Sequence, residues 1–111
     1  MSYRSAGADA VFHAVSDATR RAIVQRVARR PFSAGELASG FRISRPAVSK
    51  HVRVLLRAGL LRERREGRNR FYELNAAPLR TVDEWVGQYS VFWQTTLRNL
   101  KTFVESRGDH E

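Results

Sequence analysis

Apolar residues recur every three or four positions over most of this chain, a spacing typical of helices that bury one face. Two short helices are predicted first, from Asp9 to near Ser16 and, after a cap at Asp17, from Ala18 to about Arg29. The second helix is expected to turn its apolar residues inward and these arginines outward: Arg20, Arg21, Arg26 and Arg29.

A pair of closely spaced helices follows. The segment Ser33-Ala34-Gly35-Glu36 has the form of a capping box, so a third helix is predicted to start there and to end near Ser39. A fourth is predicted from Ser44 to Gly59, with Pro46 tolerated in its first turn. Two helices this close, the second with a basic face, indicate a helix-turn-helix.

The fourth helix has two contrasting faces. Val48, Val52 and Leu55, with Leu56 beside them, form a stripe expected to pack on the earlier helices. The opposite face can enter a DNA groove and contact base edges and phosphates. It carries Arg45, Ser49, Lys50, Arg53 and Arg57.

Strand-like runs come next. Leu60 to Arg65 and Arg70 to Leu74 are predicted to pair around the glycine-containing turn from Glu66 to Asn69, forming a hairpin that serves as a wing. Arginines alternate along it, so part of them can face DNA, and the tip is predicted to contact the DNA backbone or minor groove. The wing candidates are Arg65, Arg68, Asn69 and Arg70.

The last helix is predicted to be continuous from Leu79 to Glu105. About 25 helical residues span close to 40 Å, more than a small domain needs for its own core. The surplus apolar face is therefore expected to pack on a second copy of the chain. Tyr89, Phe92 and Trp93 belong to this packing, or alternatively line a small-molecule pocket between subunits.

The net charge of the chain indicates the kind of partner that it binds. The chain has 20 lysines and arginines against 11 acidic residues, a net charge of +9, which favours a polyanion: nucleic acid first, an anionic membrane surface second. There is no cysteine among the 111 residues, which excludes disulfides and thiolate metal sites.

One domain over residues 1–111 is expected, with residues 1–8 and 106–111 loose. No secretory or long apolar segment is evident, so a soluble, cytoplasmic protein is expected, associated with the nucleoid when bound to DNA.

Three segments resemble one family of proteins. FHAVSDATRR (Phe12 to Arg21), SRPAVSKHVRVLLRAGLL (Ser44 to Leu61) and REGRNRFYEL (Arg65 to Leu74) are similar to the opening, recognition helix and wing of the ArsR family of bacterial winged-helix repressors. The segment from Gln88 to Glu105 further resembles its metal-independent branch. The resemblance implies a mainly α fold with a small β-hairpin.

It also implies a homodimer, formed through the first and last helices, that places two recognition helices in successive major grooves of a pseudo-palindromic operator. Arg45 stands where the family often has glutamine, which shifts the expected base preference toward guanine. The implied DNA contacts are Ser44, Arg45, Pro46, Ser49 and Lys50, with His51 nearby and Arg53 further along. The implied interface residues are Val11, Val15, Val82, Val86, Tyr89, Trp93, Leu97 and Leu100.

Metal sensing and catalysis are not expected. The third-helix cysteines of metal-sensing members would fall within residues 36–39, and Asp83 lacks the histidine two positions on that their last-helix site uses. The histidines show no ligand spacing, so no cofactor is predicted. His51 is open to two interpretations: a neighbour of DNA, or an imidazole at the helix boundary that hydrogen-bonds to the backbone and holds the turn. Ser49 lacks the surroundings of a nucleophile.

The sequence therefore predicts a homodimeric, DNA-binding transcriptional repressor, with its own promoter a candidate target. Two alternatives stay open: a sequence-independent, architectural nucleic-acid-binding protein, and an interaction module that uses the aromatic C-terminal helix.

Overall fold

A computed structural model describes residues 6–108. Within these residues the fold consists of six helices and a small antiparallel sheet with strand order β1-β3-β2. The helices are α1 (Ala6–Val15), α2 (Ala18–Val27), α3 (Ala34–Ser39), α4 (Arg45–Arg57), α5 (Arg80–Gly87) and α6 (Ser90–Gly108). The strands are β1 (Phe32–Ser33), β2 (Leu61–Glu66) and β3 (Asn69–Leu74), and a 3₁₀ turn spans Ala77–Leu79.

The first and last helices extend into the segments that the sequence predicts to be loose. Residues 6–8 belong to α1 and residues 106–108 to α6, so both helices run further than the hydrophobic pattern indicates. Residues 1–5 and 109–111 lie outside the described residues.

Side-chain caps start the middle helices, as predicted. The Asp17 carboxylate accepts a hydrogen bond from the Arg20 amide at 3.0 Å. The Ser33 hydroxyl accepts from the Glu36 amide at 3.1 Å while the Glu36 carboxylate accepts from the Ser33 amide at 2.9 Å, which completes the capping box. These caps satisfy amides that a helix start leaves free.

Helix α4, the second helix of the helix-turn-helix, is capped at both ends. Ser44 caps its start, with Oγ 3.3 Å from the Ala47 amide. At its end Gly59 adopts a φ of 77°, and the Leu60 amide donates to the Leu55 carbonyl at 3.0 Å, the arrangement of a Schellman motif. The glycine predicted to stop the helix does so because its conformation is left-handed.

The core lies where α4 meets the earlier helices and the sheet. Its fully buried large side chains are Ile23, Leu37, Leu55 and Leu60. Val48 and Val52 are buried as predicted, whereas Leu56 is half-buried at the edge.

The hairpin has a tighter turn than predicted, and the sheet has a third strand. Glu66 pairs with Asn69 within the strands, and Gly67 takes a φ of 60° in the two-residue turn between them. Strand β1 adds Phe32 opposite Tyr72. Two residues are too few for a strand to show an alternating pattern, so the sequence does not predict β1.

The prediction of one continuous last helix is wrong. It is divided into α5 and α6 around Gln88 and Tyr89. The amides of these two residues donate to carbonyls three positions back, Gln88 to Trp85 at 3.3 Å and Tyr89 to Val86 at 2.9 Å. These tighter turns follow Gly87, a residue that disfavours the helix interior.

The prediction that all the arginines of α2 face outward is wrong for Arg20, which is 8% exposed. Its guanidinium turns back to α1, where Nε donates to the Ala14 carbonyl and Nη2 to the His13 carbonyl, each at 2.8 Å. Carbonyls at a helix end have no partner within the helix, so a nearby cation is drawn to them.

Candidate nucleic-acid interface

The outer face of α4 is exposed and basic. Because Val48, Val52 and Leu55 point inward, the helix turns Ser49, Lys50 and Arg53 away from the core. Ser44, Arg45 and Pro46 are exposed at its start. The first turn of α4 therefore offers hydroxyl and cationic groups, the side-chain chemistry that reads bases and phosphates.

A cleft of about 470 Å³ separates this helix from the hairpin. Three arginines line it, Arg45 and Arg53 from the helix and Arg70 from the wing, together with one acid, Glu63. The remaining lining residues are Ala34, Ala38, Val48, Ser49, Val52, Leu56 and Tyr72. The cleft joins the predicted recognition helix and wing into one positively charged surface.

Strand register divides the wing arginines between the two faces of the hairpin. Residues directly opposite in an antiparallel pair share a face, and successive residues alternate. Arg65 pairs with Arg70, two positions along from the Glu63 and Tyr72 pair, so all four lie on the face that borders the cleft. Of the predicted wing residues, the structure brings Arg70 to the recognition helix.

Arg64 lies on the other face, opposite Phe71. Its guanidinium pairs with Glu66 and with Glu73, the latter with Nε 2.7 Å from Oε1, and it lies 5.4 Å from the centre of the Phe71 ring. The charge of Arg64 is therefore balanced within the hairpin, away from the cleft.

The tip of the wing meets the start of α3. A hollow of about 330 Å³ is lined by Arg68, Asn69 and Arg70 on one side and by Ser33, Ala34 and Gly35 on the other. All three tip residues are exposed. The predicted tip contacts thus lie beside the helix-turn-helix.

Asn75 fixes the base of the wing to the end of α4. Its side-chain amide donates to the Gly59 carbonyl at 2.8 Å, its backbone amide donates to the Leu60 carbonyl at 2.8 Å, and its Oδ1 accepts from Arg62 at 3.1 Å. The sequence indicates Asn75 as a residue that ends a strand, and its anchoring role depends on contacts distant in sequence.

His51 faces α2. Its Nδ1 lies 3.2 Å from Nη1 of Arg20 and 3.8 Å from the Asp17 carboxylate, and its side chain is 22% exposed. The backbone amide of Arg20, followed by the charges of His51 and Arg20, lowers the pKa of Asp17. His51 therefore links α4 to α2, as expected of an imidazole with a structural role. Its partners are the side chains of Arg20 and Asp17, whereas the sequence predicted a backbone partner.

The residues predicted to form a dimer interface differ widely in exposure. Val11 is 3% exposed and is already packed within its own chain, so it offers almost no area to a second copy. Val15 and Val82 are half-buried. The exposed members are Val86, Tyr89, Trp93, Leu97 and Leu100.

An aromatic ladder links α1 to this exposed surface. The rings of Phe12 and Trp85 meet edge to face at 5.8 Å, and those of Trp85 and Tyr89 at 5.6 Å. Tyr89 and Phe92 lie 6.3 Å apart. These ring contacts connect α1 to the beginning of α6. The side chains of α6 from Val91 to Arg107 are all exposed.

Two further properties bear on the class of protein. Within residues 6–108, no three of the side chains that commonly bind metals lie together as a metal site would require. Among these same residues, no helix has the length and hydrophobicity that crossing a membrane requires. A basic helix-turn-helix followed by a wing defines a winged-helix DNA-binding protein.

Comparisons with known proteins agree with this class. A family described as a helix-turn-helix domain matches residues 15–64. The chain is 39% identical over 107 residues to the HTH-type transcriptional regulator Rv2034 of Mycobacterium tuberculosis, which covers 96% of this chain and 95% of that protein. It is 36% identical over 76 residues to the transcriptional repressor SdpR of Bacillus subtilis, covering 68% and 84% of the two chains. The solved structure of an ArsR-like transcriptional regulator from Rhodococcus sp. RHA1 superposes with a TM-score of 0.72 at 31% identity, covering 95% and 94%.

The chain belongs to the ArsR family of winged helix-turn-helix transcriptional regulators. It is a regulator that binds double-stranded DNA and not an enzyme. The family, the fold class and the regulatory function predicted from the sequence are confirmed.

Proposed function

We propose that the protein is a homodimeric repressor that binds a pseudo-palindromic operator, with its own promoter a candidate target. The observation that carries the proposal is the pairing of a basic cleft beside α4 with an exposed apolar face on α6. The first surface suits DNA, and the second suits another copy of the chain. The similarity to a relative named as a transcriptional repressor supports repression over activation.

On the DNA side, the start of α4 enters the major groove. Arg45, Ser49 and Lys50 contact base edges, with Ser44 and Pro46 close to the backbone and His51 held away from the groove by Arg20. Arg53 lies further along the helix and meets phosphates. The wing adds backbone or minor-groove contacts through Arg65, Arg68, Asn69 and Arg70.

On the dimer side, the exposed residues Trp93, Leu97, Leu100 and Val104 are spaced by fours and threes, so they share one face of α6. A soluble monomer rarely exposes such a continuous apolar face, and a second copy covers it symmetrically. Two copies then hold their recognition helices about 34 Å apart, one turn of DNA. The dimer occupies promoter DNA in the cytoplasm and is nucleoid-associated while bound.

In vitro selection from randomised duplexes with the full chain tests this function. The expected result is an enriched site with two inverted half-sites. Inserting about five base pairs between them turns the half-sites to opposite sides of the duplex and abolishes tight binding. Inserting about ten base pairs, one full turn, returns both half-sites to the same side and restores tight binding. Tight binding that survives the shorter insertion contradicts the dimeric arrangement.

Selection, together with an Arg45→Ala variant and light scattering, separates the two alternatives. A sequence-independent architectural protein enriches no site, and Arg45→Ala weakens its binding to all duplexes equally. An interaction module built on the aromatic helix remains a strict monomer in light scattering. Either outcome replaces the repressor proposal.

A further inference from the structure

Glu63 is an acid within the basic cleft. Its carboxylate Oε1 lies 3.4 Å from Nε of Arg70 and 3.9 Å from Nε of Arg65, and its side chain is 33% exposed. Strand register places Glu63 directly opposite the buried Tyr72, on the face that borders α4. The carboxylate therefore pairs with wing arginines on the side where DNA is expected.

An acid in this position opposes the general attraction of the protein for DNA. Duplex DNA carries one negative charge about every 1.7 Å along its axis, and binding without sequence preference comes almost entirely from cations that neutralise phosphates. Glu63 repels those phosphates and also pairs with two of the arginines that would neutralise them. The other charged residues that line the cleft are Arg45, Arg53 and Arg70.

We propose that Glu63 is a specificity-determining residue of the DNA interface, which restrains Arg65 and Arg70 from binding phosphates at arbitrary sequences. This inference rests on the DNA-binding function and on the proposed operator. Specificity is the difference between two affinities, and it rises when the unwanted complex is weakened. At the operator, base contacts from α4 hold the wing against the duplex, and the arginines exchange Glu63 for phosphate.

Glu66 supplies a matched control on the same hairpin. It lies on the opposite face, three inter-strand pairs along from Glu63, and its carboxylate pairs with Arg64. Glu63→Gln and Glu66→Gln change the net charge equally and keep the shape of the side chain. A difference between the two variants therefore reports position and not total charge.

The experiment measures dissociation constants over a range of KCl for two duplexes of equal composition, one selected in vitro by the wild-type chain and one scrambled. Glu63→Gln is expected to tighten binding to the scrambled duplex about fivefold, the size of an exposed ion pair. It is also expected to steepen the dependence of log K on log salt by about one unit, one additional phosphate contact. The selected duplex changes much less, so the ratio of the two affinities falls.

Three outcomes overturn the inference. Equal shifts in Glu63→Gln and Glu66→Gln show an effect of net charge alone. Weaker binding of Glu63→Gln to the selected duplex shows that the carboxylate reads a base directly, as a carboxylate does with the amino group of cytosine. Unchanged binding to both duplexes shows that Glu63 does not restrain the arginines.

A second variant guards against loss of folding. Adding Arg70→Gln to Glu63→Gln removes the nearer of the two freed cations, and binding to the scrambled duplex should return toward that of the wild type. Failure of the wild-type chain to select any site contradicts the proposed operator function, yet the comparison of Glu63→Gln with Glu66→Gln on scrambled DNA still reads out the restraint. The two failures are therefore distinguishable.

Discussion

The guanidinium of Arg20 and the imidazole of His51 meet with Nη1 3.2 Å from Nδ1. The same guanidinium donates to the carbonyls of His13 and Ala14, so one side chain joins the end of α1 and the start of α2 to the recognition helix. Arg20 is 8% exposed, and within the described residues no buried side-chain nitrogen or oxygen lacks a hydrogen-bond partner. The position of α4 against α1 and α2 thus depends on a buried cation whose three guanidinium nitrogens each have a hydrogen-bond partner.

Removal of this cation should destabilise the fold. Arg20→Met keeps most of the volume of the side chain but removes the donor to the Ala14 carbonyl and to the imidazole, while the His13 carbonyl keeps the Ser16 hydroxyl as a donor. We expect a loss of about 2–4 kcal/mol of unfolding free energy. Urea unfolding followed by circular dichroism measures it. Arg21→Met is the control, because Arg21 is exposed and makes a single bond to the Val15 carbonyl. Equal losses in the two variants contradict a special role for Arg20.

The local signals in the sequence predict most of the fold because they act over a few residues. The caps at Asp17, Ser33 and Ser44 and the stop at Gly59 each need neighbours within one or two helical turns. The family, the helix-turn-helix and the hairpin follow from these signals together with the apolar spacing.

The rest depends on tertiary contacts that periodicity does not encode. Arg20 is buried with Ile23 and Val27 on one face of α2, but the carbonyls that its guanidinium meets there belong to the end of α1, and only the packing of the two helices brings them together. The split of the wing arginines between two faces becomes definite once the register of Arg65 with Arg70 is known. Asn75 and Glu63 escape prediction because each acts through partners on another element or strand.

Stability should fall in acid because two helix caps are carboxylates. The Arg20 amide, with the charges of His51 and Arg20, lowers the pKa of Asp17, and the Ser33 amide followed by Arg30 lowers the pKa of Glu36. A carboxyl whose pKa is lower in the folded state binds its proton more readily when unfolded, so it contributes stability above its unfolded pKa, near pH 4. That contribution is lost as the pH falls through the folded pKa.

The melting temperature between pH 7 and pH 3, roughly the range that spans these carboxyls, measures this effect. Asp17→Asn and Glu36→Gln should melt at lower temperature than the wild type at neutral pH and lose less on acidification. The double variant should have the flattest profile, since the two caps belong to different helices. Profiles parallel to that of the wild type contradict the role of these carboxylates.

The salt dependence of DNA binding should distinguish the two faces of the wing. Arg70 borders the cleft, whereas Arg64 is paired with Glu66 and Glu73 on the other face. On the selected duplex, Arg70→Gln should reduce the slope of log K against log salt by about one, the loss of one phosphate contact, and Arg64→Gln should change it much less. The two variants have the same net charge, so equal slopes would show that the wing does not approach DNA through the cleft face.

The exposed face of α6 should determine the oligomeric state. Leu100 and Val91 are equally exposed, at 57% and 58%, and lie nine residues apart, which places them on opposite sides of the helix. Leu100 shares its side with Trp93 and Leu97. Val91 borders a hollow that is also lined by Phe92, Thr95 and Thr96. Leu100→Glu should therefore give a monomer and Val91→Glu should leave the dimer intact.

Light scattering on the purified variants reads this out directly. A two-fold interface contains each residue twice, so Leu100→Glu removes two apolar side chains, about 1.5–3 kcal/mol each, and places two carboxylates in the contact. The same variant should lose tight binding to the selected duplex while keeping weak, salt-sensitive binding to scrambled DNA, because each wing and recognition helix remains intact. Dissociation by Val91→Glu as well would place the interface on another side of α6, and a dimer that survives Leu100→Glu would show that the apolar face of α6 is not what joins the two copies.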